Sequence, residues 1–245
     1  MNDVQKLLTA HRSIRKFKSG PLADEVIREI VRCGQAAATS SNIQAVTVIR
    51  VKDPARREKL AELAGGQPYV AQAGAFLVFC ADLHRARLAC QAEGGTFCEG
   101  MTEHFIIATV DVALAAQNCV VAAEAMGLGI CYIGALRNQP QAVADLLDLP
   151  RLVYPVFGLC LGVPDQDPEH KPRLPQAAVL GEDTYPKEGM PEAIKAYDEE
   201  MRAYYRRRSG GGKESWWSLE MKALVGKEAR PHMRAFLAER GFTMR

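Results

Sequence analysis

Apolar positions recur along this chain in two rhythms, one helical and one alternating. Val4, Leu7 and Leu8 share one face of a short helix over 3–10. Val26, Ile27, Ile30, Val31 and Gly34 share one face of a second, which Pro21 and Asp24 start and which runs to about 38. A β-branched run over 46–51 reads as a strand. Asp53-Pro54 then caps a helix that stops at Gly65-Gly66, and Gln67-Pro68-Tyr69 reads as a turn. Residues 75–80 are nearly unbroken apolar sequence, which predicts a strand covered on both faces. The longest helix is predicted over about 99–126, with Phe105, Ile106, Val112, Ala113, Ala116, Val120 and Ala123 among its apolar positions and Gly127 as its stop. Gly129 opens a strand over 130–135, Asn138 and Pro140 open a helix to about 148, and 153–162 is a further buried strand.

Past 163 the texture changes. Pro164, Pro168, Pro172 and Pro175 break a polar connection, and helical patterning returns over 191–208 and over about 215–240. The two are separated by Ser209-Gly210-Gly211-Gly212, the one low-complexity run. Four strands among at least six helices predict a sheet sandwiched by helices with a helical C-terminal extension. A proline-broken segment with two helices offers little independent core. The expectation is therefore a single domain over 1–245, with its core at about 1–163 and an excursion over about 164–245.

Composition narrows the class. A formal net charge of +2 over 245 residues argues against a nucleic-acid binder working by counterion release, so basic clusters are read locally. The seven cysteines are scattered, odd in number and free of any C-x-x-C, which suits a reducing cytosol. No apolar signal core lies in the first residues, and Asp111, Gln117, Asn118 and Glu124 interrupt the least polar segment, which argues against a membrane span. The expected protein is soluble and cytoplasmic.

The candidate chemistry begins at His11-Arg12-Ser13-Ile14-Arg15-Lys16-Phe17. Two guanidinium forks and a hydroxyl at this density suit a phosphate monoester, while Ile14 and Phe17 can tie the stretch to a core. A solvated basic turn is the other reading open at this point. Thr39-Ser40-Ser41-Asn42 is a row of short polar side chains that compete with helical backbone bonds. Gly127, Gly129 and Gly134 fail the dinucleotide fingerprint in spacing and context, and Gly212-Lys213-Glu214 is no Walker A. There is no G-x-S-x-G elbow, and the five histidines share no metal-ligand spacing. An enzyme with this inventory would leave the chemistry to a cofactor.

In register, HRSIRKF, the Thr-Ser-Ser-Asn turn with Gln44, GGQPYV at 65–70, GLGICYIGALRN at 127–138 and HKPRLP at 170–175 resemble the FMN-dependent nitroreductase family. They are closest to its branch of NADPH-dependent oxygen-insensitive nitroreductases and NADPH-flavin oxidoreductases. The likeness spans almost the whole chain, including Lys-Glu-Ala-Arg-Pro at 227–231 in what is read as the last helix. It implies an α+β fold with a central, mostly antiparallel sheet, and an interlocked homodimer with one FMN per site at the subunit interface. By position it assigns Arg12, Ser13, Lys171 and Arg173 to the flavin phosphate, with His11 beside them. Arg15 is assigned to the N1–C2 carbonyl edge of the isoalloxazine, where a fixed cation favours the reduced flavin.

Further assignments follow from the same resemblance. Thr39, Ser40, Ser41, Asn42, Gln67 and Tyr69 would serve the pyrimidine edge and ribityl chain, and Tyr132, Ile133, Gly134 and Ala135 would bring backbone close to the ring. Ala135 stands where close relatives often have a second glycine. Arg208, Lys213 and Arg230 are candidates for the NADPH 2′-phosphate, against the alternative that the Arg206-Arg207-Arg208 group is a solvated face. Tyr132 reads equally as core, Ser40 and Ser41 as simple turn residues, and Trp216-Trp217 as packing. The expected activity is ping-pong reduction, with hydride transfer from NADPH to flavin N5 and electrons passed to a nitroaromatic, a quinone or free flavin. Two rivals remain: a flavin reductase supplying free reduced FMN, and a non-catalytic flavin carrier or redox sensor.

Overall fold

A computed structural model describes all residues from Met1 to Arg245. In chain order the elements are α1 (Asp3–Thr9), α2 (Asp24–Gln35), β1 (Val46–Arg50), α3 (Pro54–Leu63), α4 (Tyr69–Gln72), β2 (Ala75–Asp82), α5 (His84–Ala92), α6 (Thr102–Ala125), β3 (Gly129–Ile133), α7 (Pro140–Leu146), β4 (Val153–Gly162), α8 (Met190–Arg208), α9 (Trp217–Val225) and α10 (Met233–Glu239). They fall into two compact units. One holds Met1–Pro168 and His232–Arg245, the other Glu169–Pro231.

The first unit is built on one sheet of order β1-β2-β4-β3, antiparallel at every pairing. All eight residues of β2 are buried, as its unbroken apolar run requires, because it lies between β1 and β4. β1, at the edge, is only half-buried along its length. α6 crosses the sheet with Ala108, Val112, Ala115, Ala116, Cys119, Val120 and Ala123 turned inward. Its small residues let α2 come close: a Cβ on Gly34 would lie 2.4 Å from Cys119 Sγ and 3.0 Å from the Ala115 carbonyl oxygen. α6 is also long and apolar enough, by length and composition, to cross a membrane. In this fold it is the core helix.

Several boundaries differ from the sequence expectations. α6 starts at Thr102 rather than 99, since Gly100 (φ +85°) turns the chain and its carbonyl accepts from the Arg245 amide at 2.9 Å. Ile106 and Ala113, two of the apolar positions of α6, face outward. So do Val4 and Leu8, 60% and 50% exposed: α1 is fixed by an Asn2–Gln5 capping box and buries no residue. Tyr69 begins a single turn of helix rather than closing a turn. β3 stops at Ile133 because Gly134–Asn138 wind into a 3₁₀ turn. No element was predicted over 83–98, yet α5 forms there, started by the Asp82 carboxylate accepting from the His84 amide at 2.9 Å.

The second unit holds α8, α9 and the proline-rich connection that precedes them. Tyr197, Met201, Tyr204 and Tyr205 of α8 form its small core, against which Leu174 and Trp217 pack. The single helix expected over 215–240 is instead α9 and α10, with a non-helical stretch between. Pro231 has no N–H to continue a helix, and Arg230 before it sits at φ +52°, outside right-handed helical geometry. Lys227 to Pro231 therefore do not belong to the last helix.

Gly158 shows how tightly the sheet is covered. A Cβ there would lie 2.3 Å from Cζ of Phe76, a ring with no exposure at all. Gly158→Ala should cost about 1–3 kcal/mol through overpacking. In chemical denaturation the double variant with Phe76→Leu should recover part of the loss, whereas an additive pair would contradict this contact.

Candidate functional site

The Arg12–Phe17 stretch lies along the outer edge of β3. Ser13 forms a parallel bridge with Ile130, and the Ile14 amide donates to the Ile130 carbonyl at 2.8 Å. Farther along, the Lys18 amide donates to Val163 O and the Asp165 amide to Lys16 O, both at 2.9 Å. Two glycines make room for this strip. A Cβ on Gly129 would lie 2.7 Å from Ile14 Cγ1, and one on Gly162 2.8 Å from Phe17 Cδ1. With Ile14 and Phe17 so seated, the polar members stand free of the core: Arg15 is exposed, and Arg12 and Ser13 are half-buried.

His11 and Arg12 each meet a carboxylate. His11 Nδ1 lies 2.6 Å from Glu124 Oε1 on α6. Arg12 donates through Nη1 to the Asp167 carboxylate and to the Pro168 carbonyl at 3.4 Å. Arg12, Ile14, Glu124, Gly129 and Asp167 line one cavity, of about 400 Å³.

GGQPYV joins this edge, as the motif order implies. Tyr69 donates its hydroxyl to Gln67 Oε1 at 2.7 Å, and Gln67 Nε2 donates to the Ala64 carbonyl at 2.9 Å. Burial pushes the Tyr69 hydroxyl up, and a hydrogen bond with Arg15 works against that rise. Burial likewise pushes the Cys131 thiol up, with the Arg15 charge opposing. Arg15, Gln67, Tyr69 and Cys131 are therefore one neighbourhood. The Tyr132 side chain belongs to the other face of the sheet. It packs edge-on against Phe157, with ring centroids 5.0 Å apart, and its hydroxyl reaches Gln117 Oε1 of α6 at 3.5 Å. Only its backbone faces the Arg15 side. Ile133 is buried, while Gly134 and Ala135 lie half-buried in the 3₁₀ turn.

Thr39 to Asn42 lie elsewhere, at the entry to β1. Ser41, Asn42 and Gln44 all take the left-handed region (φ +46°, +57° and +53°), which costs a side-chain-bearing residue of order 1 kcal/mol each. What holds them is Asp111, 1% exposed on α6. Its Oδ1 accepts from the Ser40 amide at 3.1 Å and its Oδ2 from the Ala45 amide at 3.0 Å. Sequence reasoning did not find this residue, although a carboxylate at a position on the buried face of an apolar helix is itself a signal. Thr39 and Gln44 line a second cavity, of about 520 Å³, together with Ile43, Val48, Phe79 and Cys119. The two cavities share no lining residue. Within one chain the structure does not bring this turn to Arg15: β1 and β3 are three strand spacings apart, about 14 Å.

The remaining candidates lie in the second unit. Lys171 is exposed, its Nζ 5.6 Å from the centroid of the Tyr205 ring, and Arg173 is exposed and donates to the Lys171 carbonyl at 2.9 Å. Lys213 lies over the same ring at 4.2 Å and pairs with Glu220 at 2.8 Å. Arg208 stacks on Tyr204 and donates to its hydroxyl at 3.1 Å. Arg206 and Arg207 are engaged by Glu214 and Glu169 at 2.9 and 2.7 Å, so that part of the arginine run is a surface ion-pair network. Arg230 is partly exposed, next to Pro231.

Against known proteins, residues 8–163 match the Nitroreductase family and residues 171–245 its C-terminal domain. The NADPH-flavin oxidoreductase of Vibrio harveyi is 43% identical over 245 residues, covering 100% of both chains. The FMN reductase (NADPH) of Bacillus subtilis is 41% identical over 246 residues, 99% of each. A solved structure of NfrA1 from B. megaterium superposes with a TM-score of 0.96 at 45% identity, covering 99% of this chain and 100% of that one.

Asp111→Ala strands the buried Ala45 amide and the part-buried Ser40 amide and frees the strained turn. The expected loss is about 2–4 kcal/mol in chemical denaturation, with hydrogen exchange quickening first at Ser40 and Ala45. Exchange at those amides no faster than in the parent would remove Asp111 from this role.

Proposed function

The chain belongs to the nitroreductase family, and from that premise we propose that it is an FMN-containing, NADPH-dependent oxidoreductase reducing nitroaromatics, quinones or flavins by a ping-pong mechanism. The observation that carries this is the strip beside β3, which gathers Arg12, Ser13 and Arg15 with Gln67 and Tyr69 at one edge. The donor set suits FMN. Arg12 already carries an anion, the Asp167 carboxylate, on Nη1 alone, and guanidinium recognises phosphate oxygens in the same way. Bound there, FMN would supply the two-electron redox chemistry between NADPH and the acceptor.

The chain's own residues bind and polarise. In this reading Arg12 and Ser13 hold the phosphate, and His11 is fixed beside them by Glu124. Arg15 would place positive charge at the pyrimidine edge, with its charge close to the Tyr69 hydroxyl. Arg208, Lys213 and Arg230 are assigned to the NADPH 2′-phosphate. No proton-transferring side chain is required. In this reading the protein works in the cytoplasm.

The same proposal includes a homodimer. Arg15 and the Ser40–Asn42 turn are both assigned to the pyrimidine edge, which is too short to touch two elements about 14 Å apart. A second copy presenting its turn to this copy's β3 edge resolves the mismatch. α6 offers the surface: Ile106, Val110 and Leu114, spaced by four residues along one helical face, are 48%, 49% and 43% exposed. The flavin-reductase reading is kept because relatives bear that name, and kcat/KM for free FMN against a nitroaromatic separates the two.

Two experiments test these assignments. The purified or reconstituted protein should release FMN, not FAD, on denaturation, and NADPH should bleach its visible absorbance anaerobically. FAD, no flavin after reconstitution, or absorbance unmoved by NADPH would contradict the reading. Ile106→Asp with Leu114→Asp should give a monomer in sedimentation that has lost FMN. A flavin-loaded monomer would sink the shared site.

A further inference from the structure

Three cations crowd around two neighbouring rings in the second unit. Tyr204 and Tyr205 meet edge to face, with centroids 5.5 Å apart, and are 1% and 8% exposed. Arg208 lies over the first ring, Lys213 and Lys171 over the second. The ring faces attract each cation, but the cations repel one another, and the arrangement needs an anion. Glu220 supplies it from α9. Its Oε1 lies 2.8 Å from Lys213 Nζ and accepts from the hydroxyl of Ser215, 3% exposed, at 2.5 Å. Lys213 is also tied through its backbone, its amide donating to Ser209 Oγ at 2.7 Å. Its ammonium is thus committed within the chain.

The Glu220 bond to Lys213 lowers the carboxyl's pKa first of all, with the Ser215 bond next and the Lys171 charge adding to it, while the same pair raises Lys213. Both head groups are reached by water, with side chains 48% and 39% exposed, so a stronger anion arriving from solvent can displace the carboxylate without stranding it.

We propose that Glu220 is a specificity-determining residue that competes with the NADPH 2′-phosphate for Lys213. This rests on the reading of Lys213 as a grip for that phosphate. NADH lacks the 2′-phosphate and leaves the Lys213–Glu220 pair intact. NADPH must break the pair and also meets the Glu220 charge. Glu220 therefore sets NADPH affinity below what an unpaired Lys213 would give, and it does so without touching the nicotinamide end.

The test is calorimetric titration of the FMN-loaded, full-length protein with 2′,5′-ADP, and with 5′-ADP as the probe lacking the 2′-phosphate. Glu220→Gln keeps a hydrogen-bond partner for Ser215 and removes the charge. It should tighten 2′,5′-ADP by about two- to fivefold, the range of an exposed ion pair, and move 5′-ADP by less than twofold. In a Lys213→Ala background the same change should give no gain. If Glu220→Gln folds poorly, Ser215→Ala, which unfastens the same carboxylate oxygen, takes its place with the same expected direction. Unchanged or weaker 2′,5′-ADP binding, equal tightening of both probes, or a gain that survives without Lys213 would each overturn the competition. If Lys213→Ala alone leaves 2′,5′-ADP binding untouched, the phosphate-grip reading fails and the proposal falls with it.

Discussion

Two carboxylates set into one apolar helix anchor the polar elements of the first unit. Asp111 holds the Ser40–Ala45 turn through two backbone amides, and Glu124 holds His11 at the start of the basic strip. A buried carboxylate without partners would be prohibitively costly, so Asp111 is tolerable only because the turn supplies its hydrogen bonds. The turn in its left-handed conformation is tolerable only because Asp111 accepts them. Neither forms well without the other, and α6 sets the spacing between turn and strip. From residue 111 to residue 124 is 13 positions, about 20 Å of helix.

That spacing shapes the proposed site. Sheet order and helix length agree that one chain cannot bring its turn and its β3 edge to the same few atoms. A ligand needing both must draw them from two copies, and the exposed apolar stripe of α6 gives those copies a surface to share. In this account cofactor binding and dimerisation are one requirement. Within the second unit, Lys213 is held by Glu220, which Ser215 in turn fastens, beside the tyrosine pair.

Much of this was legible in the sequence, for identifiable reasons. The all-buried β2 and the inward face of α6 follow from periodicity alone. Arg12, Ser13, Arg15, Gln67 and Tyr69 could be placed together only through the family resemblance, since no local pattern says that residues 67–69 fold back onto residue 15. Asp111 was legible only as a charge speaking against a membrane, because periodicity weighs apolar positions and says nothing of which backbone amides a carboxylate will find. Val4 and Leu8 were read as inward from their spacing, and Ile106 and Ala113 were read only as apolar positions of α6. An interface between copies has the same apolar rhythm as a core, so patterning does not distinguish the two. The break at Arg230-Pro231 carried its own signal in the proline. Lys213 read as a free cation because Glu220, seven residues on, becomes its partner only through the fold.

The central claim is that each proposed flavin site takes its β3 edge from one chain and its turn from another. Subunit complementation tests it most directly. One copy carries Arg12→Ala with Arg15→Ala, the other Ser40→Ala, Ser41→Ala and Asn42→Ala, and each homodimer is first shown to lose FMN. Differently tagged copies are then purified as heterodimers. If the sites are shared, one site collects both sets of defects and the other collects none, so the heterodimer should hold about one FMN per two chains. If edge and turn act within the same chain, every site is damaged, and a heterodimer without flavin would contradict the account.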